Sequence, residues 1–187
     1  MNLCHECGLC CNGVMFHTVR LQPTDSAKEL AALGLKLKRK KGAHYILQPC
    51  PAWQDCQCSI YAARPERCRL FECRQLQRVA TGETTEAAAL EKIRDVQLQV
   101  ARVHELLARA GRTNPKRPLS RRCEKILAEP LDASPDPAAV ALRADLTRAI
   151  RELNAVLDAD FRLVPIEVSE MTQEPEAPTE QIRGCCA

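Results

Sequence analysis

The sequence predicts a mainly helical α+β fold. An irregular, metal-bound cysteine-rich domain with a small β-hairpin precedes an antiparallel helical pair. Three observations carry this. Nine of the twelve cysteines lie between Cys4 and Cys73, and the first four read C-x2-C-x2-C-C. Leu35 to Lys38 and His44 to Leu47 alternate in character around Lys41-Gly42, the period-two signature of paired strands. Two later stretches repeat apolar residues at three- and four-residue steps, the period of a buried helical stripe.

Gly8 and Gly13 suit tight ligand loops between and after the first cysteines. Thr24 or Asp25 is expected to cap a short helix that places Leu30 and Leu33 on one face and closes at Gly34. The hairpin follows, with the basic run Lys36 to Lys41 on its solvated face. Pro49-Cys50-Pro51 opens the second cysteine group: Cys50, Cys56, Cys58, Cys68 and Cys73. Pro65 fits the first turn of a helix that brings Cys68 one turn in. Thr84 or Thr85 then caps a long helix to Ala110, with Ile93, Val96, Val100, Val103 and Leu107 along its seam and Gly111 after its end. Ser120 is expected to cap a short helix carrying Cys123 to Ala128, which Pro130 stops. Asp136-Pro137 starts a second long helix, striped by Leu142, Leu146, Ile150, Leu153 and Leu157. Phe161 to Val164 reads as a short extended segment. The divisions expected are 1–80, a cysteine-cluster domain; 81–165, a helical hairpin; and 166–187, a Pro-, Glu- and Thr-rich disordered tail.

Composition narrows the function. A net charge of +3 is too mild for a nucleic-acid-binding domain. No apolar run approaches the roughly 18 residues of a membrane span. No charged and apolar leader precedes Cys4, so a cytoplasmic protein with reduced thiols is expected. Thiolates are soft ligands, suited to zinc, copper(I) and iron–sulfur clusters, and a two-residue gap aims two sulfurs of one loop at one metal. His5 and His17 lie among these cysteines as lesser candidates. Arg64, Arg67 and Arg69 crowd Cys68 and Cys73, where guanidinium N–H groups can offset thiolate charge.

C-x2-C-x2-C-C, Leu21-Gln22-Pro23-Thr24-Asp25, Cys58-Ser59-Ile60-Tyr61, Arg64-Pro65 and Cys68-Arg69 together resemble the cysteine-cluster family of zinc- or iron-chelating proteins, the YkgJ type. The resemblance covers residues 4–73. It implies that Cys4, Cys7, Cys10, Cys11, Cys50, Cys58 and Cys68 are metal ligands, with Cys73 as an addition and Cys56 outside the pattern. Eight thiolates fill two closed tetrahedral zinc sites, with adjacent Cys10 and Cys11 facing different ions. The run also matches the opening of a ferredoxin motif, and Cys50-Pro51 echoes its last element, so an iron–sulfur cluster is equally admissible.

The leading expectation is a cysteine-ligated metal-binding protein without catalysis of its own, whose helical pair meets a protein partner or a second copy. A redox or cluster-dependent enzyme would need a pocket with convergent polar groups, for which His17, His44, Tyr61 and Arg64 are the candidates. No catalytic acid–base pair is legible. A storage or delivery protein would use the remaining thiols, Cys56, Cys123, Cys185 and Cys186.

Overall fold

The computed structural model describes residues 3–54, 57–130 and 136–163. Seven α-helices and five short strands occupy them: α1 (Leu3–Cys7), β1 (Thr18–Arg20), α2 (Ala27–Ala32), β2 (Leu37–Lys40), β3 (Ala43–Leu47), β4 (Trp53–Gln54), β5 (Gln57–Cys58), α3 (Glu66–Leu70), α4 (Arg74–Ala80), α5 (Glu86–Arg109), α6 (Leu119–Ala128) and α7 (Pro137–Asp160). A 3-10 turn, Tyr61–Ala63, precedes α3. The expected α+β architecture with predominant helix is thus present. Cys56, Cys185, Cys186, Val164 and the segment 166–187 lie outside the described residues.

The hairpin forms as expected. β2 pairs antiparallel with β3, Lys40 opposite Ala43, across the two-residue turn Lys41-Gly42. Both turn residues have positive φ, 48° and 78°, the geometry that matches the twist of paired strands and that glycine adopts without strain. A third strand, β1, adds to the other edge of β3, giving the order β1-β3-β2. It is only three residues long, too short for a periodic signal. Val19, Leu37 and Ile46 share the inner face and pack with Leu21, Leu30 and Leu35.

Several local expectations are corrected. The cap of α2 is Ser26, whose side chain accepts from the Glu29 N–H, rather than Thr24 or Asp25. Asp25 is committed elsewhere: its carboxylate accepts from the backbone N–H of Gln22 at 2.7 Å and of Glu66 at 2.9 Å, so it caps α3 from a distance. Leu33 is 47% exposed and leaves the apolar face to Leu30. Ser120 lies inside α6, which starts after Pro118, and its hydroxyl bonds to His17 Nε2. Phe161 is no strand residue; it terminates α7 and is fully buried. α4, β4 and β5 were not legible in the sequence.

The two long helices begin at Thr85 and Asp136, whose side chains accept from Ala88 N and Ala138 N. They run antiparallel. Lys92, in the first turns of α5, meets Asp160 at the end of α7 at 3.4 Å. At the opposite end, Arg112 pairs with Glu129, whose carbonyl takes the guanidinium of Arg143. Their stripes form one apolar cluster, Ile93, Val96, Val103 and Leu107 against Leu146, Leu153, Leu157 and Phe161. Leu3, Leu9 and Val14 belong to the same cluster, so α1 and its following turn rest directly on α5.

Candidate metal centre

The N-terminal cysteines are held by a tight turn. Cys4 and Cys7 lie on α1, and the chain then doubles back at Gly8, whose carbonyl accepts from both Cys11 N and Asn12 N at 2.9 Å. Gly8 has φ +62°, and a Cβ there would run into the indole of Trp53. The turn therefore needs glycine twice, for conformation and for space. Gln97 of α5 donates to the carbonyls of Glu6 at 2.6 Å and Cys7 at 3.3 Å, satisfying groups that the end of α1 leaves open.

The distal cysteines come from four places. Cys50 N donates to Cys11 O at 2.7 Å, which ties the second cysteine group to the first. Cys58 lies on β5 opposite Trp53. Cys68 sits in α3, behind the Asp25 cap. Cys73 precedes α4 and is set by the end of α7: Arg74 N donates to Phe161 O, the Arg74 guanidinium to Asp158 O at 3.1 Å, and Gln75 to Asp160 O at 3.0 Å. None of the nine described cysteines is in a disulfide.

All eight cysteines singled out in the sequence (Cys4, Cys7, Cys10, Cys11, Cys50, Cys58, Cys68 and Cys73) line a single cavity of about 470 Å³. Tyr61, Arg64, His5 and Arg67 line it too, as do Phe16 and Phe71, whose rings meet edge to face at 5.1 Å. His17 and His44 do not line it. Cys123 is buried among the helices, apart from this cavity.

Burial dominates the thiol chemistry. It pushes Cys7 and Cys11 up to about 12 and Cys68 up to about 11, and it raises Cys4, Cys10 and Cys50 as well. Repulsion between neighbouring thiolates adds to this, and its pattern is informative. Cys7 feels Cys73 and Cys4; Cys10 feels Cys7, Cys11, Cys73 and Cys4. Cys11 feels Cys50, Cys68 and Cys58 before Cys4, and Cys68 feels Cys50 and Cys58. These interactions mostly link Cys4, Cys7, Cys10 and Cys73 to one another and Cys11, Cys50, Cys58 and Cys68 to one another, with crossings from Cys11 to Cys10 and from Cys4 to Cys11.

The donor set fits a thiophilic metal. Eight sulfurs line one cavity, and among the described residues no Asp or Glu lines it, a donor set that suits soft ions over hard ones. Among the described residues no three such side chains yet stand close enough to clasp an ion, so ligation requires the thiols to draw inward and shed their protons.

The family resemblance, rather than spacing alone, singled out these eight cysteines. Spacing missed Gln97, Asp25, Trp53 and Phe161, which hold them; each acts across dozens of residues, where no local pattern reports it. A model of the family described as "CxxCxxCC: Putative zinc- or iron-chelating domain" matches residues 3–99. No curated protein matches the chain, and no solved structure does.

Proposed function

The chain belongs to the CxxCxxCC family of zinc- or iron-chelating domains, and on that premise we propose that it is a metal-binding module with two four-thiolate centres. One is Cys4, Cys7, Cys10 and Cys73; the other is Cys11, Cys50, Cys58 and Cys68. The observation that supports this reading most is the grouping of eight cavity-lining thiols into two fours, divided between adjacent Cys10 and Cys11.

Bound metal would supply thiolate coordination strong enough to cross-link segments that share little apolar surface. The chain's own residues do the rest. The Gly8 turn presents three thiols of the first centre from one side, and the end of α7 presents Cys73 from the other. The Cys50–Cys11 backbone bond, the β4–β5 pair and the capped α3 present the second centre. Closed four-thiolate shells leave no open position for a substrate, which favours a structural or electron-carrying role over hydrolytic catalysis. Zinc and an iron–sulfur cluster both suit the first centre, whose C-x2-C-x2-C run is the ferredoxin element. The second, assembled from scattered segments, suits a single zinc or iron ion.

Two serine variants test the assignment. Cys7→Ser is expected to empty the first centre and keep the second; Cys68→Ser is expected to do the reverse, by elemental analysis of anaerobically purified protein. Full metal content in either variant refutes that cysteine as a ligand.

A further inference from the structure

We propose that Arg64 is the counter-charge shared by both thiol groups, a positioning residue that holds two anionic centres in one cavity. This rests on the two-centre reading above.

Arg64 is fixed from two sides. Its Nε donates to Tyr61 O at 3.0 Å, and its guanidinium carbon lies 3.6 Å from the centre of the Tyr61 ring. That ring in turn meets His5 edge to face, centroids 4.7 Å apart at 84°. His5 lies on α1 between Cys4 and Cys7, and Arg64 lies at the end of the 3-10 turn, directly before Pro65 and α3, which carries Cys68. The stack His5–Tyr61–Arg64 therefore runs from the helix of the first group to the helix of the second. Arg64 lines the cavity alongside Cys4 and Cys68, one from each group.

The physical need is clear. Four thiolates outweigh the charge of one divalent ion, and two such centres in one cavity repel. A guanidinium is permanently charged, weakly hydrated and planar, so it can sit between them, stacked on an aromatic ring, at little desolvation cost. Arg67 also lines the cavity, but it is exposed, and among the described residues no hydrogen bond or ring contact holds its side chain.

The test uses the full chain loaded with zinc under anaerobic conditions, with metal loss followed against an excess of a coloured chelator. The Cys68→Ser and Cys7→Ser backgrounds isolate the first and second centres. Arg64→Met is expected to speed loss from each centre by about ten- to a hundredfold, the usual effect of removing a partner of the ligands. Arg64→Lys, which keeps the charge but loses the fork, is expected to fall between Arg64→Met and wild type, and Arg39→Met, an exposed arginine of β2 that does not line the cavity, to match wild type. Equal rates for Arg64→Lys and Arg64→Met would mean that only packing was lost, and would overturn the proposal. So would an effect confined to one centre, or wild-type rates in Arg64→Met. A wild-type chain that retains neither zinc nor iron overturns the two-centre reading itself, and the proposal with it; one that retains iron alone is put through the same comparison with iron.

Discussion

At the scale of the residue, the cavity thiols carry a conflict that metal resolves. Burial holds Cys7 and Cys11 protonated up to about pH 12, whereas the same groups in an unfolded chain ionise near their ordinary value of 9.0. Above pH 9 the unfolded chain therefore binds fewer protons than the metal-free fold, and the metal-free fold loses stability as pH rises from 9 towards 12. The loaded protein has the opposite slope: its ligands are already thiolates, so acid, by reprotonating them, releases the metal and the stability that came with it. Thermal melts of both forms between pH 5 and 11 are expected to show these opposing trends. A metal-free form whose melting temperature stays flat above pH 9 would contradict the burial of these thiols. The N-terminal thiols stood out because soft-ligand chemistry writes itself into short spacings such as C-x2-C, whereas Cys50, Cys58, Cys68 and Cys73 were singled out through the family resemblance. The proposed division between centres has no counterpart in local spacing, because it joins Cys73 to Cys4, Cys7 and Cys10 across more than sixty residues while its nearer neighbour Cys68 goes with Cys11.

At the scale of the element, the helices serve the cysteines. Gln97 of α5 closes the end of α1 beside Cys7, and the end of α7 fixes Cys73 through Arg74 and Gln75. Gln97→Ala removes two hydrogen bonds to backbone carbonyls, at a cost of about 1 kcal/mol. It is expected to speed metal loss from the Cys4/Cys7/Cys10/Cys73 centre, to leave the Cys11/Cys50/Cys58/Cys68 centre unchanged, and to preserve the helical circular dichroism. Equal effects at both centres would show that α5 does not act through α1. Long helices were read well from sequence, since Thr85 and Asp136 cap runs whose apolar stripes repeat over about four turns. Short elements were not. α4 spans seven residues, and β1, β4 and β5 three or fewer, so each owes its conformation to what it packs against. Asp25 shows the same limit: its sequence context suggests a local helix cap, but its carboxylate reaches Glu66, forty-one residues away.

At the scale of the whole molecule, one apolar cluster runs from Leu3 and Leu9 through α5 to α7, and the cavity opens beside it, bounded by Ile93 and Phe161. The helical pair is thus the platform on which α1 rests. In the proposed arrangement the first centre is built against that platform, the sheet and α3 carry the second, the Cys10–Cys11 peptide bond joins the two, and Arg64 balances them. The most direct test of this arrangement is the metal-to-protein ratio of anaerobically purified full-length protein, taken with an X-ray absorption spectrum of the same sample. Two centres per chain, each with an all-sulfur shell (about 2.3 Å if zinc), are expected. One centre or none, or a shell rich in nitrogen or oxygen, would contradict the assignment of the eight cysteines to two four-thiolate sites.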